Sequence, residues 1–62
     1  MNNKFQIGDS VIVYNDVNDP VAEKYLNDHA TIIDLHPPYV KLQFLNGNIH
    51  TLLIDNIRKQ SN

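Results

Sequence analysis

Cysteine is absent from the chain, so neither disulfides nor thiolate metal sites can brace it. Tryptophan is absent too, and five Lys and Arg stand against seven Asp and Glu, a formal charge of −2. That balance disfavours nucleic acid as a partner, because phosphates attract clusters of Lys and Arg. No apolar run approaches the ~18 residues that a membrane span needs, and the start Met1-Asn2-Asn3-Lys4 has no apolar signal stretch. These absences predict a cytosolic chain that does not enter a membrane. At 62 residues it reads as a single domain, residues 1–62, near the lower limit at which an apolar core holds without staples. The apolar share of 42% is ordinary for a globular domain and excludes a disordered tract.

What is present speaks most clearly between Tyr39 and Leu53. Asn46-Gly47 flanked by alternating apolar residues is the strongest short-range hairpin signal, since both residues tolerate the positive φ of a type I′ turn. A two-residue tip sets Phe44 opposite Ile49, Leu42 opposite Thr51 and Val40 opposite Leu53. The expected core face is then Val40, Leu42, Phe44, Ile49, Thr51 and Leu53, with Lys41, Gln43, His50 and Leu52 outward.

Upstream, Gly8-Asp9 marks a turn, and Ser10 to Tyr14 reads as a first strand with Val11 and Val13 on one face, Ile12 and Tyr14 on the other. Phe5 and Ile7 are expected to fold over one edge. Asn15 to Asn27 is too long for a tight turn. Asp19-Pro20 starts a short helix over Pro20 to Leu26, because Asp caps free N–H groups and Pro at the first position loses none. A helix this short requires Val21, Tyr25 or Leu26 to dock on the body. His29 to Leu35 reads as the second strand, with Thr31, Ile33 and Leu35 on one side and Ile32 on the other. His36-Pro37-Pro38 ends it. Ile54 to Ile57 reads as one 3₁₀ turn and Arg58-Lys59 as a last short strand.

Phe5-Gln6-Ile7-Gly8-Asp9-Ser10-Val11-Ile12-Val13 is similar to the opening of many small barrels of the KOW, Tudor-like and ribosomal-protein groups. Ala30-Thr31-Ile32-Ile33-Asp34-Leu35 resembles their second strand, and Tyr39 to Phe44 their third. The resemblance covers nearly the whole chain and implies an all-β fold: an SH3-like five-stranded small barrel with a short helical turn in the first long loop. Its departures narrow the function. His29-Ala30 stands where KOW domains place a glycine, and the missing tryptophan argues against proline-peptide binding of the SH3 kind despite Tyr14-Asn15-Asp16. Plasmid-type dihydrofolate reductase uses this barrel as a tetrameric enzyme, but Ile49-His50-Thr51-Leu52-Leu53 does not reproduce its pore strand. The small barrel protein of photosystem I is similar in strand order and in the segment near Val40 to Phe44, and it implies a docking role.

For chemistry the sequence supplies little. His29, His36 and His50 have no zinc or haem spacing. Ser10 and Ser61 lack the neighbours of a nucleophile, and Gly8 and Gly47 are isolated turn residues rather than a phosphate loop. No catalytic, cofactor-binding or metal residues are therefore assigned, no cofactor is implied, and an active site would need an oligomer pore. Asp16, Asp19, Glu23 and Asp28, opposed only by Lys24, read either as solvated charges or as an acidic lobe that meets a basic partner. Tyr25 reads as a roof over the core. Tyr14 and Tyr39 have the apolar ring and polar tip common at interfaces, and with Ile12 and Leu52 on outward faces they form the candidate partner-binding set: Ile12, Tyr14, Tyr39 and Leu52. The leading expectation is a non-catalytic interaction module, an accessory or regulatory protein, phage or mobile-element encoded, that docks on a protein partner or forms a homo-oligomer. The alternatives are a KOW or Tudor-like nucleic-acid or ribosome contact through Lys4, Lys41, Arg58 and Lys59, and an oligomeric enzyme resembling the plasmid reductase.

Overall fold

Val11 and Val13 alternate with outward Ser10 and Ile12 along strand β1 (Ser10–Val13), and both valines are fully buried. In the computed structural model, which describes residues 5–15 and 17–60, this strand lies beside β2 (His29–His36) and β5 (Ile57–Lys59). Strands β3 (Tyr39–Phe44) and β4 (Ile49–Leu53) complete one five-stranded antiparallel sheet in the order β4-β3-β2-β1-β5. Lys4, Asp16 and Ser61, named above, lie outside the described residues. The fold is all-β, with one short helix, α1 (Pro20–Lys24), between β1 and β2 and a 3₁₀ turn at Ile54–Asn56. The chain is nearly equal in all three dimensions, 25 × 25 × 24 Å. No helix among the described residues is long and apolar enough to cross a membrane.

Directly opposed residues of an antiparallel pair share a face, and the buried side chains follow that rule: Val13 opposes Ile57, Ala30 opposes Phe44, Ile32 opposes Leu42, and Val40 opposes Leu52. Phe5, Tyr25, Leu35 and Ile54 pack around this core, while Ile7 is exposed. In β2 the buried side is that of Ala30 and Ile32, and Leu35 does not stay on the side of Thr31 and Ile33. A bulge between Ile32 and Asp34 inserts one residue, so the inward phase runs Ala30, Ile32 and then Leu35.

The β3–β4 hairpin differs from its sequence reading by one residue of register. Phe44 N–H donates to the Asn48 carbonyl at 2.8 Å and Gly47 N–H to the Phe44 carbonyl at 2.9 Å, so the tip holds Leu45, Asn46 and Gly47. Of these only Gly47 has positive φ, +91°. This is the three-residue loop in which a type I turn is followed by a left-handed glycine. The longer tip sets Leu42 opposite His50 and Val40 opposite Leu52, which turns every β4 side chain to the other face. Leu52, expected outward, is 2% exposed, and Ile49, expected in the core, is 50% exposed. Thr51 is likewise exposed and Leu53 half-buried.

Candidate functional site

Asp19 opens α1 as its sequence implies. Its Oδ1 accepts the Val21 N–H at 2.9 Å, and Pro20 occupies the first turn. The helix ends at Lys24, two residues short of Leu26, and Ala22 is the side chain it buries completely. Val21 and Leu26, by contrast, are left exposed. Tyr25, at the helix C-cap, packs on the core as expected: its ring lies 5.0 Å from Phe44 and 4.5 Å from His50, and its hydroxyl is 2.9 Å from His50 Nε2.

The other end of the helix is tied by polar groups. Asn15 Oδ1 accepts the Asp19 N–H at 2.7 Å, and Asn15 Nδ2 donates to Glu23 Oε1 at 2.7 Å. Asn56, fully buried, donates its Nδ2 to Asp19 Oδ2 at 3.1 Å while its backbone carbonyl accepts the Tyr14 N–H at 2.7 Å. Tyr25 thus ties one end of α1 to β4, and Asp19 ties the other end to the 3₁₀ turn that follows β4.

Between α1 and the hairpin runs a cleft of about 300 Å³ lined by Asp19 and Val21 from the helix side and by Tyr39, Thr51, Leu52 and Leu53 from the hairpin. Tyr39 is half exposed, Val21 is 45% exposed, and Leu52 is buried. Among the four expected contact residues, the cleft brings Tyr39 and Leu52 together. Ile12 and Tyr14 lie apart on β1 and its end, where Tyr14 carries the Arg58 guanidinium 4.4 Å from its ring centre. Val21 and Leu53 escape a sequence reading because each passes for a core residue, and the acidic character of Asp19 is the one sequence signal that touches this wall.

Other candidates disperse. Lys59 sits 3.5 Å from the Asp9 carboxylate, Arg58 lies over the Tyr14 ring, and Lys41 is on β3. His29 pairs with Gln60, His36 with Asp34 and His50 with Tyr25, and among the described residues no group of three His, Asp or Glu stands together. A second hollow of about 270 Å³ lies between Asn27–His29 and the hairpin tip at Phe44, Leu45 and Asn46. No family model, no curated protein and no solved structure matches the chain.

Proposed function

We propose that this chain is an SH3-like small barrel that works as a non-catalytic, cytosolic interaction module, docking a protein partner in the cleft between α1 and the β3–β4 hairpin. The strand order β4-β3-β2-β1-β5, the 3₁₀ turn between β4 and β5 and the long helical first loop support the barrel reading. So do the near-equal dimensions of the chain. The docking reading is carried by one observation: Val21 and Tyr39, each about half exposed, line one hollow together with the core residue Leu52. Apolar side chains exposed together around a concavity are the usual mark of a contact surface.

A photo-crosslinking benzoylphenylalanine placed at Val21 or at Tyr39 in the full chain, and irradiated in cells, tests this. Discrete protease-sensitive adducts at both positions are expected, with none from the same probe at exposed Thr31. Absence of adducts at both positions, or adducts made only of nucleic acid, overturns the proposal.

A further inference from the structure

We infer that the occupant of the cleft is an extended segment of another protein, alternating basic and apolar residues, which adds to β4 as a further strand; this rests on the docking reading above. β4 is an edge strand, with β3 on one side and, among the described residues, no strand on the other. The Phe44–Asn48 bond fixes which residues exchange main-chain bonds with β3: Asn48, His50 and Leu52. The N–H and C=O groups of Ile49 and Thr51 and the N–H of Leu53 therefore point away from β3, and no backbone bond between the described loops and turns takes them up, whereas the Leu53 carbonyl opens the 3₁₀ turn. Two of these residues, Thr51 and Leu53, line the cleft.

Edge strands are ordinarily guarded by Pro, Lys or a bulge, and β4 has none of them: its residues are Ile49, His50, Thr51, Leu52 and Leu53, in unbroken register with β3. A peptide laid along it would place alternate side chains against Tyr39 and Leu53, which calls for apolar residues there. The Asp19 carboxylate on the helix wall calls for a cation. Asp19 is held in place by its bonds from Val21 N–H and Asn56 Nδ2, and Glu23 lies one helical turn on. A second copy of this chain fits less well. Its own β4 brings no Lys or Arg to meet Asp19, and the chain as a whole is negative.

The probe is a synthetic peptide of about six residues, the usual strand length, alternating Lys and Val, compared with the same peptide carrying Glu for Lys and with a version N-methylated along its pairing edge. Saturation with the Lys peptide is expected to slow amide exchange at Ile49, Thr51 and Leu53 by about tenfold or more. Methylation is expected to abolish this protection, and the Glu peptide to give none. Thr51→Pro removes an outward donor without touching the bonds to β3, and Asp19→Asn keeps a capping residue while removing the charge. Each is expected to weaken the Lys peptide about tenfold, and Asp19→Asn to erase its advantage over the Glu peptide. Equal binding of both peptides, protection elsewhere than β4, or concentration-dependent protection of these amides without peptide overturns the inference, the last by assigning the edge to a second copy. Should Thr51→Pro fail to fold, the methylated peptide and Asp19→Asn decide. Crosslinking at Tyr39 that persists in folded Thr51→Pro and in Asp19→Asn sinks strand addition while leaving docking intact; loss of crosslinking in the unaltered chain sinks docking itself.

Discussion

Tyr25 and His50, 25 residues apart in the chain, meet through a 2.9 Å hydrogen bond between hydroxyl and Nε2, with ring centres 4.5 Å apart. The pair latches the end of α1 to the edge strand. Because Ala22 supplies the only fully buried side chain of the helix, the orientation of the cleft's helical wall depends on this latch and on Asp19.

Tyr25→Phe keeps the ring stack and deletes the hydrogen bond. A net loss of about 1 kcal/mol is expected, and for a domain of this size that lowers the melting midpoint by about 4–8 °C. Thermal unfolding followed by circular dichroism measures it, and an unchanged midpoint would remove the latch from the argument.

Register in the hairpin is tested by two substitutions on opposite faces of β4. Leu52→Ala opens a hole among Val40, Leu42 and their neighbours and is expected to cost about 2–5 kcal/mol, while Ile49→Thr on the half-exposed face should stay within about 0.5 kcal/mol. Denaturant titration ranks them; the reverse ranking would restore a two-residue tip.

Gly47 has φ +91° and nothing within 4 Å of an added Cβ, so Gly47→Ala meets no steric obstacle. Its cost is conformational, about 1 kcal/mol, and Gly47→Asn is expected to lose less because Asn tolerates left-handed backbone. Equal losses for the two variants would contradict this account.

Asp34 predicts a pH effect. The His36 side chain, 2.9 Å from Asp34 Oδ2, holds the Asp34 carboxyl below its ordinary value, helped by the Leu35 N–H on Oδ1. A depressed native pKa contributes stability above the unfolded value and loses it as pH falls through the native value. His36→Ala should therefore raise the Asp34 titration midpoint, read by carboxyl carbon shifts. The stability difference between the two proteins, small because both side chains are exposed, should close on acidification through that midpoint.

The elements with local chemical causes were legible. Asp19-Pro20 places the helix start because capping and ring geometry act within a turn, and the 3₁₀ turn and all five strands fall where their residues suggest. Phase was not legible. Asn46-Gly47 suits both a two-residue and a three-residue tip, and aliphatic residues on both sides of β4 let either face pass for the inner one. The bulge after Ile32 has no glycine or other local mark. For the cleft, Tyr39 was legible as an aromatic held at a strand start after Pro37-Pro38. Its opposite wall was not, because it depends on Ala22, the smallest apolar residue of the helix, being the one that reaches the core.

Asn56 grips both ends of the passage from Tyr14 to Asp19, one through its carbonyl and the other through its amide. With both anchors clamped by a single interior residue, the intervening chain is a closed ring whose circumference hardly matters to the rest of the molecule. Lengthening it between Val17 and Asn18 adds only about 0.6 kcal/mol per doubling. That makes this spot a natural place to graft a tag or a foreign epitope without loosening the barrel body.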